Sequence, residues 1–120
     1  MKFDDAIFIL DESSFTGKMI EKTLQNQNFS TRFFNNWNEA LGIALDLNPK
    51  ILILSSRFMN QMKEDFAFLD FIKRVDNLLV VNKDTESKLV CPGREKFILI
   101  LEIPLNPEKI LSSILSLNLN

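Results

Sequence analysis

Two adjacent carboxylates, Asp11 and Glu12, close an apolar run and are followed at once by two hydroxyls in the stretch IFILDESSF, residues 7–15. Oxygen donors of this kind suit a hard cation such as Mg2+, which takes one or two carboxylates and keeps water at its other positions. A second hydroxyl pair, Ser55 and Ser56, follows the run ILIL at 51–54, and Asn82 follows LLVV at 78–81. Hydroxyls that end a strand commonly bond to nearby backbone groups, so a structural role competes with a chemical one at Ser55.

Much chemistry is excluded by composition. The chain has no histidine, so no mechanism that needs an imidazole base or ligand can be assembled within it. A serine hydroxyl becomes a nucleophile only with a base to activate it. Cys91 is the only cysteine, which leaves no internal disulfide and no thiolate metal cluster. A lone, inert thiol suits a cytosolic setting, and a cytoplasmic protein is expected. Fourteen Lys and Arg against sixteen Asp and Glu give a net charge of -2, with no dense basic run. Neither nucleic acid nor an anionic membrane surface is therefore expected as a partner. No apolar run reaches the roughly 18 residues of a membrane span.

The elements that must position these residues follow from periodicity. AIFIL (6–10), FSTRFF (29–34), ILIL (51–54), LLVV (78–81) and FILIL (97–101) read as strands, and continuous apolar runs fit a sheet covered on both faces. Ser13 or Ser14 caps a helix to about residue 26, with Phe15, Met19, Ile20, Thr23 and Leu24 at helical spacing. NWNE (36–39) reads as a capping box on a helix that packs through Ala40, Leu41, Ala44 and Leu45. Trp37, beside that cap, is expected to serve core or edge packing of the second helix, an exposed anchor for a partner being the other reading. After a polar loop, residues 65–74 read as a helix with Phe68, Leu69 and Ile72 on one face. Residues 84–96 promise only a shortened or distorted fourth helix, because Pro92 and Gly93 interrupt it. Asn106 and Pro107 open a last helix with the stripe Ile110, Leu111, Ile114 and Leu115. One domain over 1–120 is expected, an α/β fold with a doubly wound, five-stranded parallel sheet. In such sheets the functional crevice lies at the carboxyl ends of the strands, where Asp11, Ser55 and Asn82 fall.

The order and spacing of ILDESSF, NWNEAL, PKILILSS and IPLNPEKILSSI resemble the receiver domain of bacterial two-component response regulators, over nearly the whole chain. The resemblance implies a flavodoxin-like (βα)5 fold. It implies that Asp11 and Glu12 stand where two acidic residues hold magnesium. Ser55 then stands in place of the aspartate that accepts a phosphoryl group, and Asn82 in place of a Ser or Thr that contacts it. Ile103 replaces the family's lysine before Pro104, whose peptide bond the family would make cis, and Ile100 falls near the switch aromatic. Several losses point the same way: a degenerate pocket, in which Asp11 and Glu12 bind Mg2+ weakly at most.

The expected function is therefore non-enzymatic: a pseudo-receiver that acts by protein contact in a signalling or regulatory assembly. Its partner would be a signalling protein or another domain of a longer chain. A homodimer through the fourth-helix to fifth-helix region (about 84–117) is a further option, with Lys109 and Ser113 as outward candidates. Two alternatives stand beside it. One is an atypical phosphate-accepting receiver. The other is a flavodoxin-like phosphoester or flavin domain, suggested by SSFTGK (13–18), although Met19 stands where a P-loop carries Ser or Thr.

Overall fold

The computed structural model describes residues 2–44, 47–83 and 98–117. In chain order these form β1 (Lys2–Leu10), α1 (Ser14–Gln25), β2 (Thr31–Phe34), α2 (Trp37–Ala44), β3 (Leu47–Ser55), α3 (Ser56–Gln61), α4 (Phe66–Arg74), β4 (Asn77–Asn82), β5 (Ile98–Glu102) and α5 (Pro107–Ser116). The five strands are all parallel, in the order β2-β1-β3-β4-β5. The chain leaves β1 toward one edge, then crosses back and winds toward the other. Helices therefore cover both faces, as the doubly wound reading expects.

Successive side chains of a strand point to opposite faces, and the two faces have different cores. Phe8, Leu10, Leu52, Leu54, Leu78 and Val80 meet an aromatic layer from α2, α3 and α4, with Trp37, Phe58, Phe68 and Phe71 at its centre. Trp37 stands edge-on to Phe68 with ring centroids 5.3 Å apart, so its role is the packing role expected for it. Ile7, Ile9, Ile51, Ile53, Leu79 and Val81 meet an aliphatic layer from α1 and α5, built on Ile20, Leu24, Ile110 and Ile114. Gly17 lets α1 approach β2, since a Cβ there would fall inside the ring of Phe33.

Local signals set most helix starts. Ser13 Oγ accepts from the Thr16 N–H at 3.2 Å, Asn36 Oδ1 from the Glu39 N–H at 2.9 Å and Asn106 Oδ1 from the Lys109 N–H at 2.9 Å. Four expectations need correction, the first being Leu115, assigned to the apolar stripe of α5 but exposed, because that helix turns Ile110 and Ile114 inward. The polar loop after the third strand is in fact the short helix α3, because Ser55 caps it and Phe58 and Met59 turn into the aromatic layer. Phe15, assigned to the inward stripe of α1, is exposed, because that helix turns Ile20, Thr23 and Leu24 inward instead. The second strand is shorter than FSTRFF and begins at Thr31. The distorted fourth helix expected at 84–96, and Cys91 with it, lie outside the described residues. Among the described residues no helix is long and apolar enough to cross a membrane.

The aromatic layer carries a direct test. Phe66 and Phe68 are two residues apart on α4, yet Phe66 is 87% exposed and Phe68 fully buried. Phe68→Ala should cost about 3–5 kcal/mol of stability, and Phe66→Ala within about 0.5 kcal/mol of nothing. Urea denaturation of both variants checks this.

Candidate functional site

Register brings the candidate residues to one end of the sheet. Leu10 pairs with both Phe34 and Leu54, Ser55 pairs with Val81, and Asn82 pairs with Glu102. Asp11 and Glu12 therefore leave β1 beside Ser55, and the residues after β4 and β5 close the same crevice. This is the switch point between β1 and β3, where the winding reverses.

Asp11 is only 1% exposed. Its Oδ1 accepts from the Ser13 N–H at 2.9 Å, which orients the carboxylate as α1 begins. The feature missing from the sequence reading is Lys83, the residue directly after β4. Its Nζ donates to Asp11 Oδ1 and, at 2.8 Å, to Glu12 Oε2. The lysine side chain is 8% exposed, against 21% for that of Glu12. Its backbone N–H donates to Ser56 Oγ at 2.9 Å, so the lysine is held at both ends. One signal for it did exist: a buried acidic pair with no cation at Ile103 must find one elsewhere, and Lys83 follows Asn82 at a strand end.

Ser55 is buried, and its hydroxyl is engaged in both directions. It donates to Glu12 Oε1 and lies 3.5 Å from the Phe58 N–H at the start of α3. Both oxygens of Glu12 are thus occupied, one by Ser55 and one by Lys83. Asp11 Oδ2, in contrast, is buried without a hydrogen-bond partner. Among the described residues no third Asp, Glu, Cys or His joins the pair to form a metal-binding group.

The two carboxyls are pushed in opposite directions. Burial raises the pKa of Asp11, and the hydrogen bonds from Lys83 and Ser13 only partly offset it. Burial also acts upward on Glu12, but there the hydrogen bonds from Lys83 and Ser55 outweigh it and hold the carboxyl below its ordinary value.

The other expected residues sit around this centre. Asn82 is buried, and its Nδ2 donates to Glu102 Oε2 at 3.4 Å, tying the ends of β4 and β5. The Ile103-Pro104 peptide bond is cis, as the resemblance implied. Ile103 is exposed and lines a cavity of about 340 Å³ next to Glu12 and Lys83, with Phe15 and Arg57 on its other sides. Lys109 is exposed but directs its Nζ to the Pro104 carbonyl at 3.0 Å, while Ser113 is half-buried rather than outward. Neither lies in the crevice. SSFTGK forms no phosphate-cradling loop: it is helical from Ser14, and Gly17 is buried against Phe33.

No protein-family model and no curated protein sequence matches the chain. Solved structures do. The chain is similar to the chemotaxis response regulator CheY4 of Vibrio cholerae, with 19% identity, 92% of this chain and 95% of that chain covered, and a TM-score of 0.70. A signal receiver domain from Bermanella marisrubri shows 20% identity over 95% of this chain and 98% of that one, with a TM-score of 0.68. A response regulator from Burkholderia pseudomallei, solved with a phosphorylated aspartic acid and a calcium ion, shows 16% identity over 91% of this chain and 65% of that one, with a TM-score of 0.67. At these identities the likeness establishes the receiver fold.

The acid pair yields a pH test. A carboxyl whose folded pKa is lowered stabilises the fold fully above its unfolded value and loses that effect as pH falls through the folded value. For Glu12, the stability gap between the natural chain and Glu12→Gln should hold steady above the ordinary pKa of 4.5 and close as pH falls below it. Asp11 works in the opposite sense, because protonation relieves the cost of its buried charge. Denaturant midpoints of both chains across this range check the sign; a gap that widens on acidification would contradict it.

Proposed function

We propose that this chain is a non-catalytic receiver-fold module that works by protein contact in a signalling or regulatory assembly and accepts no phosphoryl group. The observation that carries this reading is Ser55, buried at the end of β3 with its hydroxyl bonded to Glu12. An aspartate at that place would be an ionised nucleophile at neutral pH. A serine needs a base, and among the described residues Glu12 is the carboxylate in contact with it. Its carboxyl is held below the ordinary value despite burial, by Lys83 and by Ser55 itself, which makes it a poor proton acceptor. Transfer also requires cations on the phosphoryl oxygens, and Ile103 supplies none.

The same Ser55–Glu12 bond favours one rival, since a nucleophile in contact with a carboxylate is the arrangement of an activated hydroxyl. On that reading the chain accepts phosphate on serine, where the Burkholderia pseudomallei protein carries it on an aspartic acid. The low basicity of Glu12 argues against it.

The partner surface is proposed on β5 and α5. Ile100 and Leu115 are exposed there, and large apolar side chains in water suit an interface. A signalling protein, a further domain of a longer chain or a second copy would be the partner. Lys109 is a weaker candidate than expected, because its ammonium is bonded to the Pro104 carbonyl.

Treatment with acetyl phosphate, with and without Mg2+, should leave the intact mass unchanged, both in the natural chain and in Ser55→Ala. A gain of one phosphoryl group that is lost in Ser55→Ala would establish the rival. For the surface, Leu115→Glu should abolish partner binding while shifting stability by no more than about 0.5 kcal/mol, since the side chain is exposed.

A further inference from the structure

The receiver fold implies a divalent cation on the acidic pair, and the residues present do not fit one. We infer that Lys83 takes the cation's place: its ammonium is a tethered counter-ion that keeps Mg2+ out of the pocket. The inference deepens the reading of the crevice proposed above and rests on it.

Geometry carries the argument. Lys83 Nζ bonds to Asp11 Oδ1 and sits 2.8 Å from Glu12 Oε2, so it bridges the two carboxylates that a cation would use. The remaining donors are short in supply. Glu12 Oε1 is engaged by Ser55, and Asp11 Oδ1 is shared with the Ser13 N–H. Only Asp11 Oδ2 has no partner. Mg2+ demands near-octahedral oxygen geometry and dehydrates reluctantly, and a single carboxylate oxygen does not repay that cost.

Displacement of the lysine is also unfavourable. Its backbone is fixed by the Ser56 hydroxyl at 2.9 Å and by the strand just before it, where Asn82 pairs with Glu102. The side chain is 8% exposed, so an ousted ammonium gives up both carboxylate bonds and has to find another place around the crevice. A group attached to the protein competes at an effective concentration of millimolar or more, without the loss of freedom that a free ion suffers. The consequence is mechanical as well as electrostatic. Lys83 holds the exit of β4 to the exit of β1 permanently, so the crevice has its positive charge whether or not metal is present.

The test is a titration with Mg2+ and with paramagnetic Mn2+, followed by NMR at the amides of Asp11, Glu12 and Ser55, on the natural chain, Lys83→Ser and Lys83→Arg. The natural chain should show no saturation at these amides up to about 10 mM Mg2+, a concentration ample for an ordinary two-carboxylate site. Lys83→Ser vacates the position and should bind at least tenfold more tightly, with its thermal midpoint raised by Mg2+ while that of the natural chain is not. Lys83→Arg keeps a cation and should behave as the natural chain does. Saturable binding by the natural chain as tight as that of Lys83→Ser would overturn the inference. So would a folded Lys83→Ser that gains no affinity. Should Lys83→Ser fail to fold even in Mg2+, the natural chain decides alone: saturation below about 10 mM refutes tethered exclusion, and no saturation up to that concentration, with the Lys83→Arg chain matching it, supports it. Failure here is separable from failure of the proposed function. Metal binding without phosphoryl uptake sinks only the counter-ion, whereas uptake on Ser55 in the absence of metal sinks only the non-accepting reading.

Discussion

A carboxylate withdrawn from water must acquire a compensating charge or give up its own. Asp11 is in that position, 1% exposed at the end of β1 and with Glu12 beside it. The ammonium of Lys83 is what makes this pair tolerable, and much of the crevice is arranged to keep it there. Ser56 holds the lysine backbone, Ser55 occupies the second oxygen of Glu12, and the Ser13 N–H steadies Asp11. Such a cluster is not a strong source of net stability, because desolvation of three charged groups offsets most of their attraction. Its removal is another matter. Without Lys83 two acidic groups would face each other with little water to screen them.

The scaffold decides that these groups meet. A parallel sheet covered on both faces exposes its strand ends, and the reversal of winding between β1 and β3 opens a crevice between them. The two cores then hold the strands in register by different means. The aromatic layer locks α2, α3 and α4 through ring contacts such as Trp37 with Phe68 and Phe58 with Phe68. The aliphatic layer seats α1 and α5, and Gly17 lets α1 come close to β2 at Phe33.

The polar residues of the crevice have structural bonds. Ser55 works as a helix cap and a donor to Glu12. Asn82 braces β5 through Glu102, and Lys83 neutralises the acids. Asp11, Glu12, Ser55 and Asn82 are each bonded to another part of the chain, and of the four oxygens of the acid pair Asp11 Oδ2 alone has no partner. Groups already bonded to one another have fewer free valences for a ligand, and this is the physical link between the network and the surface role proposed above.

The sequence by itself determined the strands, the parallel doubly wound sheet, the caps at Asn36 and Asn106, the first cap to within Ser13 or Ser14, and the presence of Asp11, Glu12, Ser55 and Asn82 at the strand ends. These depend on periodicity and on contacts within a few residues, which any single stretch of chain displays. It also placed Ser55 and Ile103 where the resemblance implies an aspartate and a lysine, because a residue type is visible wherever the strand end can be placed. Tertiary structure alone decided the rest. Lys83 lies 72 residues from Asp11, and nothing local at either position announces their contact. The short helix α3 read as a polar loop because its cap comes from the last residue of a strand and its stability from Phe58 and Met59 entering a distant aromatic layer. Phe15 lost its expected inward place because helical spacing defines a stripe only to within a turn, while the sheet beneath decides which edge of that stripe is covered.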